Sequence, residues 1–398
     1  MRSRSWGAPM ASHATRKAQP AKRLQIVRAL LAWFSTNARD LPWRRTRDPY
    51  AVWISEVMLQ QTQVATVISY WERWMRALPT IQSVAKARPA KLRKLWEGLG
   101  YYTRVRNLQR AARHVVKEHG GHFPDDFDRI LALPGVGRYT AGAIASIAFN
   151  QPRPILDGNV TRVLTRLFAM RTNPREARTN GRLWQLAEEL VVTASRQSAV
   201  TLSSSRKARG VQPNRRHPGE AAKATTGPCS CLNQSLMELG AVICTPRNPR
   251  CEACPVAKLC AARRLGIADQ LPNSRKRIVA AERRIAVFLV QRDGRVMARQ
   301  RPAGGVNAHF WELPQVEVQG ERREVPRLAR EALGIKPATR TPLCAVPHNI
   351  TRHRIRAEVF AGESLGPLPE ARWFTRAELR RKAFTGLDRK ILRRLQLA

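Results

Sequence analysis

The chain has 398 residues, 43% of them hydrophobic and 25% charged, so it is long enough for about two domains with buried cores. Lys and Arg total 71 against 29 Asp and Glu, and the resulting net charge of +42 indicates a polyanionic partner such as nucleic acid. The sequence contains no run of about eighteen apolar residues, which excludes a helix of the kind that spans a membrane.

The N-terminal segment is basic, since the first acidic residue is Asp40 and Arg, Ser and Ala are frequent before it. We predict that residues 1–21 form a disordered basic arm, and the alternative is an organelle transit peptide. From residue 22 onward apolar residues such as Ile54 and Val57 recur at helical spacing, so residues 22–264 are predicted to be a mainly helical half. Further helices are predicted near Leu108, Ile130, Ile144, Val163 and Leu186.

One stretch interrupts the helical pattern. Between Ser195 and Ser230 there are seven Lys or Arg and one Glu, among clusters of Ser, Gly, Pro and Thr. This composition buries too little apolar surface to offset chain entropy, so residues 195–231 are predicted to be a disordered basic insertion. A locally shifted reading frame is the alternative. A basic linker is predicted over residues 265–282.

Residues 283–398 have a mixed pattern that predicts a separate α+β domain. Ile285–Val290 is a short apolar run rich in β-branched residues, and Asp293-Gly294 is a hairpin signal before a second strand, Arg295–Gln300. The remaining elements are predicted as a helix over 323–333, a strand at Ala357–Phe360 and a helical tail from Arg376.

Four cysteines stand close together with the spacing C-x6-C-x2-C-x5-C. They are Cys244, Cys251, Cys254 and Cys260. Four thiolates in one short loop suit a tetrahedral zinc site or a 4Fe–4S cluster, and the spacing alone does not choose between them.

A glycine-containing turn lies between two helical patterns, in the segment Leu133–Arg138. Gly135 and Gly137 permit a tight turn, and the helix that follows offers unpaired backbone N–H groups that can hold a nucleic-acid phosphate. The alternative is a plain turn between two helices.

Two carboxylates are set into apolar segments of a chain in which acids are scarce. Glu56 follows Ile54 and Ser55, and Asp157 follows Ile155 and Leu156. Cleavage of a glycosidic bond needs one protonated acid and one ionised carboxylate beside the developing cation, and this pair could supply both. Alternatively, Glu56 is a solvated charge and Asp157 caps a helix.

Two tyrosines follow Gly98-Leu99-Gly100 and lie close in sequence to Arg104 and Arg106. Rings among arginines can stack on bases or wedge into a base step, so Tyr101 and Tyr102 are candidates for contact with an opened duplex. Burial in the core is the alternative for both.

Together these motifs resemble the adenine DNA glycosylases, the MutY family of the helix-hairpin-helix endonuclease III superfamily. The segments that carry the resemblance, besides the cysteine loop, are LPWR at 41–44, SEVMLQQTQV at 55–64, GLGYYTRVRN at 98–107, LPGVGRYTAGAI at 133–144 and ILDGNVTRVL at 155–164. The resemblance implies a 4Fe–4S cluster on the four cysteines. It also implies removal of adenine mispaired with 8-oxoguanine or guanine from double-stranded DNA, with the adenine flipped out of the duplex.

The resemblance also implies roles for individual residues. Glu56 matches the general acid and Asp157 the carboxylate that stabilises the sugar cation. Tyr139 stands where bifunctional relatives have the lysine that forms a Schiff base, so a monofunctional glycosylase is expected. Gln61 and Tyr101 match residues that probe the duplex. The active-pocket positions are Arg44, Asn159 and Gln234.

The C-terminal domain resembles the Nudix-like module that reads 8-oxoguanine in this family. Arg327 and Leu328 stand where a Nudix hydrolase has metal-binding acids, which disfavours pyrophosphohydrolase activity. Ile350-Thr351-Arg352 replaces the family's Phe-Ser-His loop, so the strictness of lesion recognition stays open. We expect a monomer in the bacterial cytoplasm at the nucleoid, without membrane association. The alternatives are an endonuclease III-like glycosylase/lyase and a non-catalytic DNA-binding scaffold.

Overall fold

The computed structural model describes residues 13–208, 227–273, 281–305, 307–350 and 353–398. Within these residues, none of the helices combines the length and the hydropathy needed to cross a membrane. The described residues fall into two compact units. The first contains the described chain up to Glu72 and from Lys117 to Asn273, and the second contains Arg73–Val116 and the described chain from Ala281.

The described chain up to Arg264 is helical. Its α-helices are α1 (His13–Asn37), α2 (Pro49–Leu59), α3 (Val64–Ala77), α4 (Ile81–Lys86), α5 (Pro89–Trp96), α6 (Thr103–Glu118), α7 (Phe127–Leu131), α8 (Arg138–Ile147), α9 (Gly158–Leu167), α10 (Ala177–Ala208), α11 (Pro228–Val242) and α12 (Ala261–Arg264). All five helices predicted near single positions are present, as α6 to α10.

The first unit is built around a core shared by α1, α9, α10 and α11. Leu30, Leu164, Leu190 and Leu236 each come from a different one of these helices and are fully buried. Apolar side chains at helical spacing form one stripe on each helix, and burying the stripes together is the main stabilising contribution to this bundle. The N-terminus of α9 is held at the edge of the core, where it carries Asp157.

The second unit contains an eight-stranded mixed sheet. Its strands are β1 (Ala281–Arg292), β2 (Arg295–Gln300), β3 (Trp311–Glu312), β4 (Gln315–Val318), β5 (Ile335–Pro337), β6 (Cys344–Ile350), β7 (His353–Ser364) and β8 (Ala371–Phe374). Strand β1 pairs in parallel with β7 and antiparallel with β2 and β4, while β5 and β6 pair antiparallel with β7. Helices of this part are α13 (Val325–Leu333), α14 (Arg376–Arg381) and α15 (Gly386–Arg394).

The predicted hairpin between β1 and β2 is confirmed. Arg292 pairs with Arg295, so Asp293 and Gly294 are the two turn residues, with φ angles of 50° and 71°. Two positive φ angles define the turn type that matches strand twist, and Asp-Gly is suited to it. The predicted helix over 323–333, the strand at Ala357–Phe360 and the helical tail are present as α13, within β7 and as α14 with α15.

Helices extend into the two stretches that were predicted to be disordered. Helix α1 begins at His13, inside the predicted arm of residues 1–21. Residues 195–208 continue α10, and α11 begins at Pro228, so both ends of the predicted insertion 195–231 are helical. Residues 1–12 and 209–226 lie outside the described residues. The predicted linker 265–282 contains a short 3-10 turn at Ala268–Gln270 and the first residues of β1, with 274–280 undescribed.

The compact units also differ from the predicted linear domains, because residues 73–116 belong with the C-terminal sheet. Glu97, which follows α5, accepts hydrogen bonds from Arg389 Nε at 2.9 Å and from the Phe384 backbone N–H at 2.7 Å. The ring of Tyr102 lies 3.9 Å from that of Phe310. These buried contacts between residues far apart in sequence explain why a boundary drawn by composition did not identify this grouping.

Candidate active site

Helix α2 presents an acid to the interior. Glu56 is 4% exposed, in a helix whose neighbouring residues Ile54 and Met58 are fully buried. Asp48 caps the helix by accepting from the Tyr50 N–H at 3.0 Å, and Pro49 occupies its first turn. The alternative that Glu56 is a solvated surface charge is therefore wrong.

Tyr139 is the hydrogen-bond partner of Glu56. It lies in the first turn of α8, directly after the glycine-containing turn, and its hydroxyl donates to Glu56 Oε2 at 2.7 Å. The same hydroxyl lies 3.4 Å from the sulfur of Met237. Thus the turn at Gly135 and Gly137 sets the position of the side chain that contacts the buried acid.

The pKa of Glu56 is raised from 4.5 to about 7. Burial is the largest cause, and the nearby carboxylate of Asp157 acts in the same direction. The hydrogen bond from Tyr139 and the positive charge of Arg44 oppose the rise. Glu56 therefore exchanges a proton near neutral pH, which suits a general acid.

Asp157 lies at the N-cap of α9. Its Oδ1 accepts from the Val160 N–H at 2.7 Å, and its Oδ2 accepts from Asn159 Nδ2 at 3.1 Å. Burial raises its pKa, while these two hydrogen bonds and the N-terminus of the helix favour the charged form. The alternative that Asp157 caps a helix is correct, and capping directs its carboxylate to the same cavity as Glu56.

The two carboxylates line one cavity of about 590 Å³, a volume in the range of small-molecule sites. The other predicted site residues that line it are Arg44, Gln61, Tyr139, Asn159 and Gln234. Gln234 is buried in α11 and donates to the Ser230 hydroxyl at 3.0 Å. Tyr101 belongs to the second unit.

Both residues predicted to probe a duplex have left-handed backbone conformations. Gln61 has φ 57° just after α2, and Tyr101 has φ 46° just before α6. Such angles are uncommon for residues with side chains and cost free energy that the surrounding structure must offset. Tyr101 is 44% exposed, whereas Tyr102 is 8% exposed, so burial in the core applies to Tyr102 alone.

The glycine-containing turn joins α7 to α8 as a helix–turn–helix. Gly135 has φ 78°, which favours glycine, and the Val136 N–H donates to the Leu133 carbonyl at 3.0 Å. At Gly137 an added Cβ would meet no atom within 4 Å, so the surface beside the start of α8 is open. An open backbone at a helix N-terminus is suited to a phosphate.

Sequence reasoning missed Glu238 in α11. This carboxylate is 1% exposed and accepts from Arg39 Nε at 2.6 Å and from Arg44 Nη2 at 2.8 Å. Because Glu238 lies 199 residues from Arg39, no local pattern indicated the pair. The ion pairs lower the pKa of Glu238 and fix Arg44 at the rim of the cavity.

Arg162 and Gly240 were also missed. Arg162 Nη2 donates to Asn159 Oδ1 at 2.8 Å and to the Gly240 carbonyl at 2.7 Å, while its Nε donates to the Cys244 carbonyl at 2.7 Å. A Cβ added at Gly240 would lie 2.6 Å from Asn159 Cβ. The close approach of α11 to α9 therefore requires glycine, and it holds Asn159 against Asp157.

The four cysteines lie around one small cavity beside Arg166. Four thiols around one cavity are suited to a 4Fe–4S cluster or to a tetrahedral zinc ion, so the lining alone does not choose between them. Arg166 adds a donor, since its Nη1 lies 3.4 Å from Cys244 Sγ and 2.7 Å from the Thr245 carbonyl.

Comparisons with known proteins agree with this geometry. Residues 54–189 match the model of the HhH-GPD superfamily base excision DNA repair protein, residues 286–394 match the NUDIX domain, and residues 244–260 match the iron-sulfur binding domain of endonuclease III. The chain is 35% identical to the adenine DNA glycosylase of Homo sapiens, over 92% of this chain and 73% of that protein. It is 36% identical to the adenine DNA glycosylase of Rattus norvegicus, over 92% of this chain and 77% of that protein.

These matches support an enzyme of base-excision repair that hydrolyses N-glycosyl bonds. They identify the cofactor of the four-cysteine loop as a 4Fe–4S cluster, and the C-terminal sheet as a Nudix-like domain. With an identity above one third across most of both sequences, the chain belongs to the adenine DNA glycosylase family.

Proposed function

We propose that this glycosylase removes adenine mispaired with 8-oxoguanine or guanine in double-stranded DNA and leaves the strand intact. The observation that carries the proposal is the pair Glu56 and Asp157, which line one cavity: burial raises the pKa of Glu56 to about 7, while hydrogen bonds from the Val160 N–H and from Asn159 favour the ionised form of Asp157. The net charge of +42 supports binding to the duplex. We further propose that the protein acts as a monomer at the nucleoid in the bacterial cytoplasm.

The proposed reaction begins with adenine flipped into the cavity, because its glycosidic bond is inaccessible inside the stack. Glu56 donates its proton to a ring nitrogen of the adenine. The bond between the base and C1′ then breaks, its electron pair leaves with the adenine, and a positive charge develops on the sugar. Asp157 stabilises this cation as a carboxylate. Water adds to C1′, and the proton that it releases returns to a carboxylate.

Tyr139 is proposed to orient Glu56 through the 2.7 Å hydrogen bond. A phenol cannot form a Schiff base with the opened sugar, whereas the lysine of a glycosylase/lyase can. This chemistry supports a product with an abasic site and an unbroken strand.

Contacts to the duplex are proposed for three parts of the chain. The turn containing Gly135 and Gly137 binds a phosphate through backbone N–H groups, and Gln61 and Tyr101 each probe or wedge the duplex opposite the flipped base. Their left-handed backbone conformations, with φ 57° and 46°, support a functional use. We propose that Arg44, Asn159 and Gln234 shape the adenine pocket.

The Nudix-like domain is proposed to read the base opposite the adenine, at the turn between β6 and β7. Ile350 at the end of β6 is 41% exposed, and Thr351 and Arg352 lie outside the described residues. Because this turn differs from the family's Phe-Ser-His loop, we propose that discrimination between 8-oxoguanine and guanine is weaker than a strict reader would give. Pyrophosphohydrolase activity stays disfavoured, since Arg327 and Leu328 stand where a Nudix hydrolase has metal-binding acids. Arg327 is instead paired with Glu331 at 3.0 Å.

The deciding experiment incubates the purified chain with a duplex that contains adenine opposite 8-oxoguanine. We expect release of adenine and a strand that breaks only after alkali. Breakage without alkali would support the glycosylase/lyase alternative.

The Glu56→Gln variant is the matched control for chemistry. It keeps the size of the side chain and an acceptor for Tyr139, so it should bind the duplex but release no adenine. Normal adenine release by this variant would refute the proposed role of Glu56. Duplex binding with no adenine release by the wild-type chain would support the scaffold alternative.

A further inference from the structure

The face of the sheet near the start of β1 and β7 carries a cleft of about 820 Å³. Five arginines and two glutamates line it, which leaves an excess of three positive charges. The charged residues are Glu282, Arg283, Arg284, Arg322, Arg354, Arg356 and Glu358. None of them belongs to the proposed active site.

The register of β1 and β7 places one pair of like charges and one pair of opposite charges in this cleft. Arg284 of β1 is directly opposite Arg356 of β7, and one step earlier on the same face Glu282 is opposite Arg354. Like charges directly opposite each other on a sheet are destabilising. The Arg284–Arg356 pair therefore places two like charges side by side, and an anion between the two strands would be attracted to both.

One buried carboxylate serves three of these arginines. Glu358 is 5% exposed, and its Oε1 lies 2.6 Å from Arg322 Nη2 and 3.6 Å from Arg356 Nε, while its Oε2 lies 3.7 Å from Arg284 Nη2. One negative charge cannot neutralise three guanidinium groups. It does hold them in place, and the side chains of Arg284, Arg322 and Arg356 stay about 40% to 70% exposed.

Arg283 is paired with Glu317 outside the cleft, which reduces the excess to two positive charges. Arg354 forms no ion pair with any residue in the described part of the chain. Prearranged guanidinium groups are suited to a phosphate, whose oxygens accept paired N–H donors, and they bind it with less loss of side-chain entropy than free arginines would.

We infer that this cleft is a phosphate-binding site, with Arg284, Arg354 and Arg356 as ligands and Glu358 as the residue that positions Arg284 and Arg356. The phosphate is either a backbone phosphate of DNA or the polyphosphate of a free nucleotide. The inference goes beyond the proposed excision of adenine, and it neither needs nor tests Glu56.

The test compares the full chain with the double variant Arg284→Gln/Arg356→Gln. The control Arg327→Gln/Arg330→Gln removes the same charge from α13, outside the cleft. Affinity for an undamaged duplex is measured against salt, and inorganic pyrophosphate is titrated by calorimetry and by its effect on the thermal midpoint. Adenine release under single-turnover conditions is measured separately in the control variant, where it should not change.

If the site binds DNA, the cleft variant should lower the slope of log affinity against log salt by about 1 to 2, and the control by clearly less. If it binds a free polyphosphate, pyrophosphate should raise the thermal midpoint of the wild type and the control but not of the cleft variant. Equal losses in the two variants would mean that charge acts diffusely, and would overturn the inference. So would duplex and pyrophosphate binding that the cleft variant leaves unchanged.

Discussion

The Glu56→Gln variant allows two effects of Glu56 to be measured separately. One is the free-energy cost of burying its charge, which affects stability, and the other is its action as an acid, which affects excision. The folded chain raises the pKa of Glu56 from 4.5 to about 7. Each pKa unit corresponds to about 1.4 kcal/mol, so the ionised carboxylate lowers stability by about 3 kcal/mol above pH 7. Gln carries no charge and keeps an oxygen for the Tyr139 hydroxyl, so the variant avoids this cost.

The pH dependence has a definite sign. Because Glu56 binds its proton more tightly in the folded chain, its contribution is most favourable below pH 4.5 and is lost as pH rises to 7. The Glu56→Gln variant should therefore gain stability at pH 8. The thermal midpoint should rise by roughly 6–12 °C for about 3 kcal/mol in a domain of this size. At pH 5 the gain should be below about 1 kcal/mol.

The assay is thermal unfolding of both proteins at pH 5 and pH 8, with cluster absorbance recorded to verify equal loading. Glu238→Gln is the matched control, since Glu238 is as buried as Glu56 but its pKa is lowered by Arg39 and Arg44. It should lose stability at pH 8, because two arginines lose their partner. A Glu56→Gln variant that is no more stable than the wild type at pH 8, or that gains as much stability at pH 5, would contradict this cost of the buried charge.

Further predictions concern the same cavity and the cluster. Tyr139→Phe removes a hydrogen bond that lowers the pKa of Glu56, so the alkaline limb of the excision-rate profile should move to higher pH; a shift to lower pH would contradict this. Asp157→Asn should abolish single-turnover excision but change stability by less than about 1 kcal/mol, since Asn is an equally good N-cap. Gly240→Ala should cost about 1–3 kcal/mol by urea unfolding and slow excision, because its methyl group overlaps Asn159; wild-type values would refute the tight contact. Oxidative loss of iron should lower duplex affinity and thermal stability together.

Most of the helices and the hairpin could be predicted because local sequence determines them. Asp293-Gly294 supplies both positive φ angles of a two-residue turn, so the hairpin needs no distant contact. The helical ends of the stretch 195–231 have a local cause too. Its first fourteen residues contain no Gly or Pro, and Pro228 is suited to the first turn of a helix. The average composition of the whole stretch reflects neither feature.

Much of the site could not be predicted without the fold. The motif resemblance pointed to Glu56 and Asp157, but nothing in the sequence related Glu238 to Arg44, which lies 194 residues away. Gly240 lies inside a helix and has no turn to explain it, and its reason is the 2.6 Å approach to Asn159. Such residues act by contact across helices, and periodicity carries no information about which helices meet.

The position of Asp157 depends on the cysteine loop through a single helix. Helix α9 begins next to Asp157, and Arg162 and Arg166, four residues apart, face the loop from one side of it. Their guanidinium groups donate to the carbonyls of Cys244, Thr245 and Leu271 at 2.7 to 2.9 Å. Arg162 also donates to Asn159, which in turn donates to Asp157. Disorder in the loop would remove the Cys244 acceptor that fixes Arg162, and with it the support for this series of hydrogen bonds. The cluster can therefore support excision by ordering α9, without contacting the adenine.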